Sequence, residues 1–196
     1  MNAKDALVIV DAQNDFCPGG ALAVADGDKV IVPLNRYIDL FTRQRLPIFA
    51  TRDWHPEKTS HFKDYGGPWP AHCVQQTKGA EFHPALHLGD HVVILSKGMT
   101  ADEDSYSGFQ AVDSSGTPLA ELLRQKGVDR IFVGGLATDY CVKYTVLDGL
   151  KQGFKVVLLC DSVRAVNLQP NDGASAIDAM IEAGAVKVTE FSQLPR

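Results

Sequence analysis

At 196 residues, 45% hydrophobic and with a formal net charge of -5, the chain can fill one full-sized core and has no basic surplus for nucleic acid or an anionic membrane. Its cysteines (Cys17, Cys73, Cys141, Cys160) form no C-x-x-C pair or short disulfide framework, so free thiols in a reducing compartment are expected. Residues 1–5 lack the features of a signal peptide and no run reaches transmembrane length, so the expectation is a soluble cytoplasmic protein with a single domain over 1–196.

Ala6–Val10 is a continuous apolar run and reads as a strand buried on both faces, ending at Asp11. The stretch from Asp11 to Gly20 is turn-rich, and from there to Lys29 the chain reads as a surface excursion. Pro33 suits the first turn of a helix, whose buried face is Leu34, Tyr37, Ile38 and Phe41. Pro47–Arg52 is a second strand, ending at Asp53. Residues 53 to about 90 carry no sustained period but hold five of the six histidines. Their aromatics, Trp54, Phe62, Tyr65, Trp69 and Phe82, argue for an ordered, functional connection.

His91–Leu95 is a third strand, ending near Lys97, and residues 98–116 form a polar loop. Leu119, Leu122 and Leu123 mark a helix after Pro118 that Gly127 stops. A fourth strand, Asp129–Val133, precedes Gly134 and Gly135, and a helix after Cys141 runs to about Gln152 on a stripe of Val142, Val146 and Leu150. Lys155–Cys160 is a fifth strand. A helix from about Gly173 to Ala183 buries Ile177, Met180 and Ile181, and Val186–Thr189 is a sixth strand. Strands alternating with helices predict a three-layer α/β/α fold with a parallel sheet.

In such sheets ligands bind beyond the carboxyl ends of the strands. Those ends carry Asp11, Asp53, Lys97 and the Cys141 turn, so four useful groups converge by topology. A thiol needs a base to become a nucleophile, a carboxylate can take and return the proton, and a lysine cation stabilises the thiolate. Cys141 in the first turn of a helix would also meet the positive end of its dipole. Asp53 with His55, His61 and His72 is a mixed oxygen and nitrogen set that suits Zn²⁺ or Fe²⁺, with Mn²⁺ as a third fit. His83, His87 and His91 read as surface or core histidines. Phe16, Trp69 and Tyr106 lie in the loops over the same edge and could wall a pocket for a planar ring.

Asp11-x-Gln13-x-Asp15-Phe16, Thr51-Arg52-Asp53-Trp54-His55-Pro56, Trp69-Pro70-x-His72-Cys73-Val74, Lys97-Gly98 and Gly134–Val142 together resemble the nicotinamidase/pyrazinamidase group of the isochorismatase-like cysteine hydrolases. The resemblance spans residues 6 to about 190. It implies a six-stranded parallel sheet in the order 3-2-1-4-5-6 and a catalytic triad of Asp11, Lys97 and Cys141. It implies one divalent metal ion on Asp53, His55 and His72, with His61 ranked below them because that position varies in the family. A cis peptide at Leu136-Ala137 is implied, with the Ala137 and Cys141 N–H groups as an oxyanion hole. Phe16, Trp69, Tyr106 and Leu22 would hold a pyridine or pyrazine carboxamide. The activity implied is hydrolysis of nicotinamide to nicotinic acid and ammonia through a thioester, in NAD salvage, with pyrazinamide also accepted and homo-oligomerisation left open. The alternatives are an amidohydrolase of the superfamily without the metal block, and a metal- or nucleotide-binding module without turnover. The latter is weak, since Gly134-Gly135 is no G-x-G-x-x-G fingerprint.

Overall fold

Every residue of β1 (Asp5–Val10) is buried, because helices cover both faces of the sheet at whose middle it lies. The computed structural model describes residues 1–103 and 105–194; Asp104 and the last two residues of the expected domain lie outside them. β1, β2 (Ile48–Asp53), β3 (Val93–Lys97), β4 (Arg130–Leu136), β5 (Lys155–Arg164) and β6 (Val186–Val188) pair in parallel in the order β3-β2-β1-β4-β5-β6, as the resemblance implied.

Alternate residues of a strand face opposite sides, and the two faces of β1 enter different cores. Leu7 and Ile9 pack with Leu34, Tyr37, Ile38 and Phe41 of α1 (Ile31–Arg43), the four positions that the period marked. Ala6, Val8 and Val10 pack with Leu119 and Leu123 of α2 (Leu119–Gln125), Val146 of α3 (Lys143–Lys151) and Met180 of α4 (Asp172–Glu182). No helix of the described residues is long and apolar enough to cross a membrane.

Several expectations need correction. The excursion from Gly20 to Lys29 is exposed at Ala21, Ala23, Ala25, Asp26, Asp28 and Lys29 and is anchored by buried Val24 and Gly27, while the turn before it is drawn inward through buried Gln13, Phe16 and Cys17. The third strand starts at Val93, and His91 stays exposed, its ring bonded to Thr42 Oγ1 at 2.8 Å. β5 runs past Cys160 to Arg164 because it bows: Val133 faces Leu158 and Gly135 faces Val163, five residue steps against two. The Ser162 hydroxyl donates to Leu159 O at 3.0 Å across the bow, and Asp161 accepts the Tyr37 hydroxyl at 2.9 Å. α3 buries Thr145, Val146 and Gly149, with Leu150 only half-buried. α4 buries Gly173, Ala176 and Met180, while Ile177 is half-buried and Ile181 is exposed. The small residues of α4 face inward because it packs against α3 and the turn that follows β4.

The two ends of the sheet differ in kind. At the amino end the buried Asp5 carboxylate takes the Arg130 guanidinium on both oxygens, at 2.8 and 2.7 Å. At the carboxyl end Gly135 pairs with Val10 at φ 126°, and a Cβ there would overlap the Val10 carbonyl. Only glycine combines that dihedral with that approach. Gly135→Ala is therefore expected to lower the unfolding free energy by about 2–4 kcal/mol, read as a shift in urea midpoint at unchanged slope. An unshifted midpoint would show that the strand ends are not packed as tightly as described.

Candidate active site

Four strand ends deliver four charged or polar groups into one dry hole. Lys97, the last residue of β3, is fully buried. Its Nζ lies 2.9 Å from Asp11 Oδ2, donates to Asp53 Oδ1, to the Ser105 carbonyl at 3.2 Å and to Cys141 Sγ at 3.5 Å. The Asp11–Lys97 contact is an ion pair by distance without an aligned hydrogen bond, so Oδ2 keeps acceptor capacity. Thr51 Oγ1 donates to the other oxygen, Oδ1, at 2.7 Å. Cys141 Sγ and an oxygen of each carboxylate lie within 4.8 Å of one another.

Burial and charge push the two carboxylates apart. Burial raises the Asp11 pKa, Lys97 pulls it down and Asp53 pushes it up, leaving it above the ordinary range. For Asp53 burial is outweighed by Lys97, His55 and His72, which hold it below that range. Lys97 loses to burial but gains more from Asp11, Asp53 and Cys141, and is held firmly protonated. Burial drives the Cys141 thiol well above its usual range despite Lys97. Burial thus works against the thiolate that a helix N-terminus alone would favour. Asp11 is suited to exchange a proton and Asp53 to remain an anion.

β4 ends at Leu136, the Leu136-Ala137 peptide is cis, and residues Thr138–Val142 form a π-helical turn broken at Tyr140 (φ -123°, ψ -105°) before α3 begins. The expected first helical turn is therefore an irregular one. The Ala137 carbonyl accepts the N–H groups of Tyr140 and Val142, at 3.1 and 3.0 Å. Thr145 Oγ1 donates to the Cys141 carbonyl at 2.6 Å and accepts the Gly108 N–H at 2.8 Å, which joins the Cys141 turn to the loop that carries Tyr106.

The histidines meet beside this hole. His55, His61 and His72 are buried, and one ring nitrogen of each lies within 4.8 Å of the others. His55 Nδ1 faces the Gly98 carbonyl at 3.0 Å and His72 Nδ1 the Pro70 carbonyl at 2.8 Å, so each Nδ1 carries the proton and each Nε2 keeps a lone pair. Burial lowers the His55 pKa to about 4 and also lowers that of His72. His55 Nε2 is buried without a hydrogen-bond partner, 3.8 Å from Asp53 Oδ2. Neutral imidazoles, a carboxylate and an orphaned lone pair fit a divalent cation. His61, ranked last in the sequence, belongs to the three-histidine group, whereas Asp53 stands between that group and Lys97. His83 is half-buried and His87 and His91 are exposed.

Phe16, Leu22, Trp69, Tyr106, Ala137 and Cys141 line one pocket with Asp53, His61 and His72, leaving about 30 Å³ open. Trp69 Nε1 donates to the Tyr106 hydroxyl at 2.9 Å, which ties the two wall loops together. Tyr140, Val166 and Ser105 complete the lining and were not singled out in the sequence. Tyr140 was within view, since it adjoins Cys141, but Val166 follows the unforeseen extension of β5 and carried no signal.

The isochorismatase domain profile matches residues 5–190. The nicotinamidase of Escherichia coli is 42% identical over 200 residues, 94% of each chain. The pyrazinamidase of Pyrococcus horikoshii, solved in complex with zinc, superposes with a TM-score of 0.88 at 47% identity, covering 96% of this chain and 99% of its own. PnC1 from L. infantum, solved in complex with nicotinate, gives 0.84 at 39% identity, covering 100% of this chain and 97% of its own.

Metal-free protein is expected to take up one equivalent of zinc, with His61→Ala and His72→Ala each weakening it by at least about tenfold in a chelator competition. Chelation should leave the far-ultraviolet circular dichroism of the fold intact, since the core lies below the histidines. Collapse of that signal on chelation would mark the site as a structural one.

Proposed function

The chain belongs to the isochorismatase family, and from that premise we infer that it hydrolyses nicotinamide to nicotinate and ammonia, and pyrazinamide in the same way. The observation that carries the mechanism is the contact of Lys97 with Asp11, Asp53 and Cys141 beneath a pocket that Asp53 and Cys141 line together with His61 and His72.

Phe16, Trp69 and Tyr106, with Leu22, wall the ring and exclude water. A divalent cation on His55, His61, His72 and Asp53 supplies, when bound, a Lewis-acid anchor for the ring nitrogen. Asp11 takes the proton of Cys141, and Lys97 stabilises the sulfur anion as it forms. The sulfur attacks the carboxamide carbon, a C–S bond forms, and the carbonyl electrons move to oxygen. The Ala137 and Cys141 N–H groups are the proposed donors to that oxygen. Asp11 returns the proton to the nitrogen, the C–N bond breaks and ammonia leaves a thioester. Water then gives a proton to Asp11 and attacks the thioester, the C–S bond breaks, and the proton returns to Cys141. One carboxylate handles each transfer, and its raised pKa favours that role.

Metal-replete protein is expected to release ammonia from nicotinamide and from pyrazinamide. Cys141→Ala should lose at least about a thousandfold in kcat yet still bind nicotinate in calorimetry. Absence of ammonia from wild type would overturn the assignment, and a Cys141→Ala variant that still turned over would remove the thioester route.

A further inference from the structure

Gln13, in the segment Asp11-x-Gln13-x-Asp15, has no part in the mechanism above, yet it is fully buried and fully bonded. Its Oε1 accepts the Asp53 N–H at 2.8 Å, and its Nε2 donates to the carbonyls of Asp53 at 2.8 Å and Ala80 at 2.9 Å. The sheet explains why such a clamp is needed. β1 pairs with β2 as far as Ile9 opposite Ala50, and the Asp11 N–H still reaches the Thr51 carbonyl at 3.1 Å. Beyond that, β1 has left the sheet, and the main chain of Asp53 has lost its partner on that side. Buried main-chain groups require one. The Gln13 amide takes both, and so stands in for the departed strand.

On its other edge Asp53 is in register with Lys97 of β3. Its backbone is thus held from both sides, and the carboxylate projects with Oδ1 on Lys97 and Oδ2 3.8 Å from His55 Nε2. The third bond, to Ala80, ties the same amide to the segment that follows His72. Asp15 assists there by accepting the Cys73 N–H at 2.7 Å.

We propose that Gln13 is a positioning residue for the metal site, holding Asp53 so that one carboxylate serves Lys97 and the histidines together. Loss of Gln13 weakens the hold on a divalent cation although every donor atom remains. The proposal rests on the reading of Asp53, His55, His61 and His72 as metal ligands.

The test is zinc titration of metal-free, full-length protein against a chromophoric chelator, which needs no substrate. Gln13→Leu, close in shape, is expected to weaken zinc binding by about 10–100-fold. Arg130→Met strips the partner from buried Asp5 at the opposite end of the sheet and is the destabilised control, expected to bind zinc like wild type. Should Gln13→Leu fail to fold, Gln13→Glu is read the same way, because it keeps the acceptor for the Asp53 N–H and gives up the Nε2 donors. Zinc affinity of the folded Gln13 variant within twofold of wild type, an equal loss in Arg130→Met, or a wild type that binds no zinc would each overturn the proposal. A wild type that binds zinc but releases no ammonia from nicotinamide defeats the functional reading alone and leaves the zinc comparison to decide Gln13.

Discussion

The fully buried ammonium of Lys97 is the constraint around which the carboxyl edge of the sheet is arranged. An isolated charge in so dry a place would be expelled or neutralised. It persists because two carboxylates, a main-chain carbonyl and a sulfur surround it. That arrangement needs three adjacent strands to end at one level, which the register of β1, β2 and β3 supplies. It also sorts the acids: Asp53, which Lys97 and two histidines surround, stays charged, while Asp11 is left able to carry a proton. The division of labour follows from where each carboxylate sits relative to one cation, since the two side chains are chemically identical.

Asp53 makes the Lys97–Cys141 pair and the histidine group a single electrostatic unit. Its two oxygens look in opposite directions, one to Lys97 and one toward His55. Charge added on the histidine side is therefore felt at Lys97, and through Lys97 at the sulfur. The walls of the pocket are linked as well, by the Trp69–Tyr106 hydrogen bond and by the edge-on packing of Trp69 against Tyr140 at 4.9 Å.

The sheet and the convergence of Asp11, Asp53, Lys97 and Cys141 were legible because buried parallel strands are short apolar runs and α1 shows its period without interruption. What was hidden depends on contacts between distant segments. α4 packs through Gly173 and Ala176, and a hydrophobic period assigns its large residues to the inside. The bow in β5 places polar residues mid-strand, where alternation ends a strand too soon. His61 was ranked too low, because its place among the histidines is set by how the 56–90 loop folds back, as in the bridge between Phe62 and Trp69. Gln13 was visible as a letter in a motif but not as a substitute for a strand.

The Thr145 hydroxyl, between the Cys141 carbonyl and the Gly108 N–H, joins two segments that lie far apart along the chain. That one hydroxyl ties the turn that holds the sulfur to the loop that carries Tyr106 of the pocket wall. Thr145 lines no part of the pocket, yet a change there would reach the sulfur and the aromatic wall together.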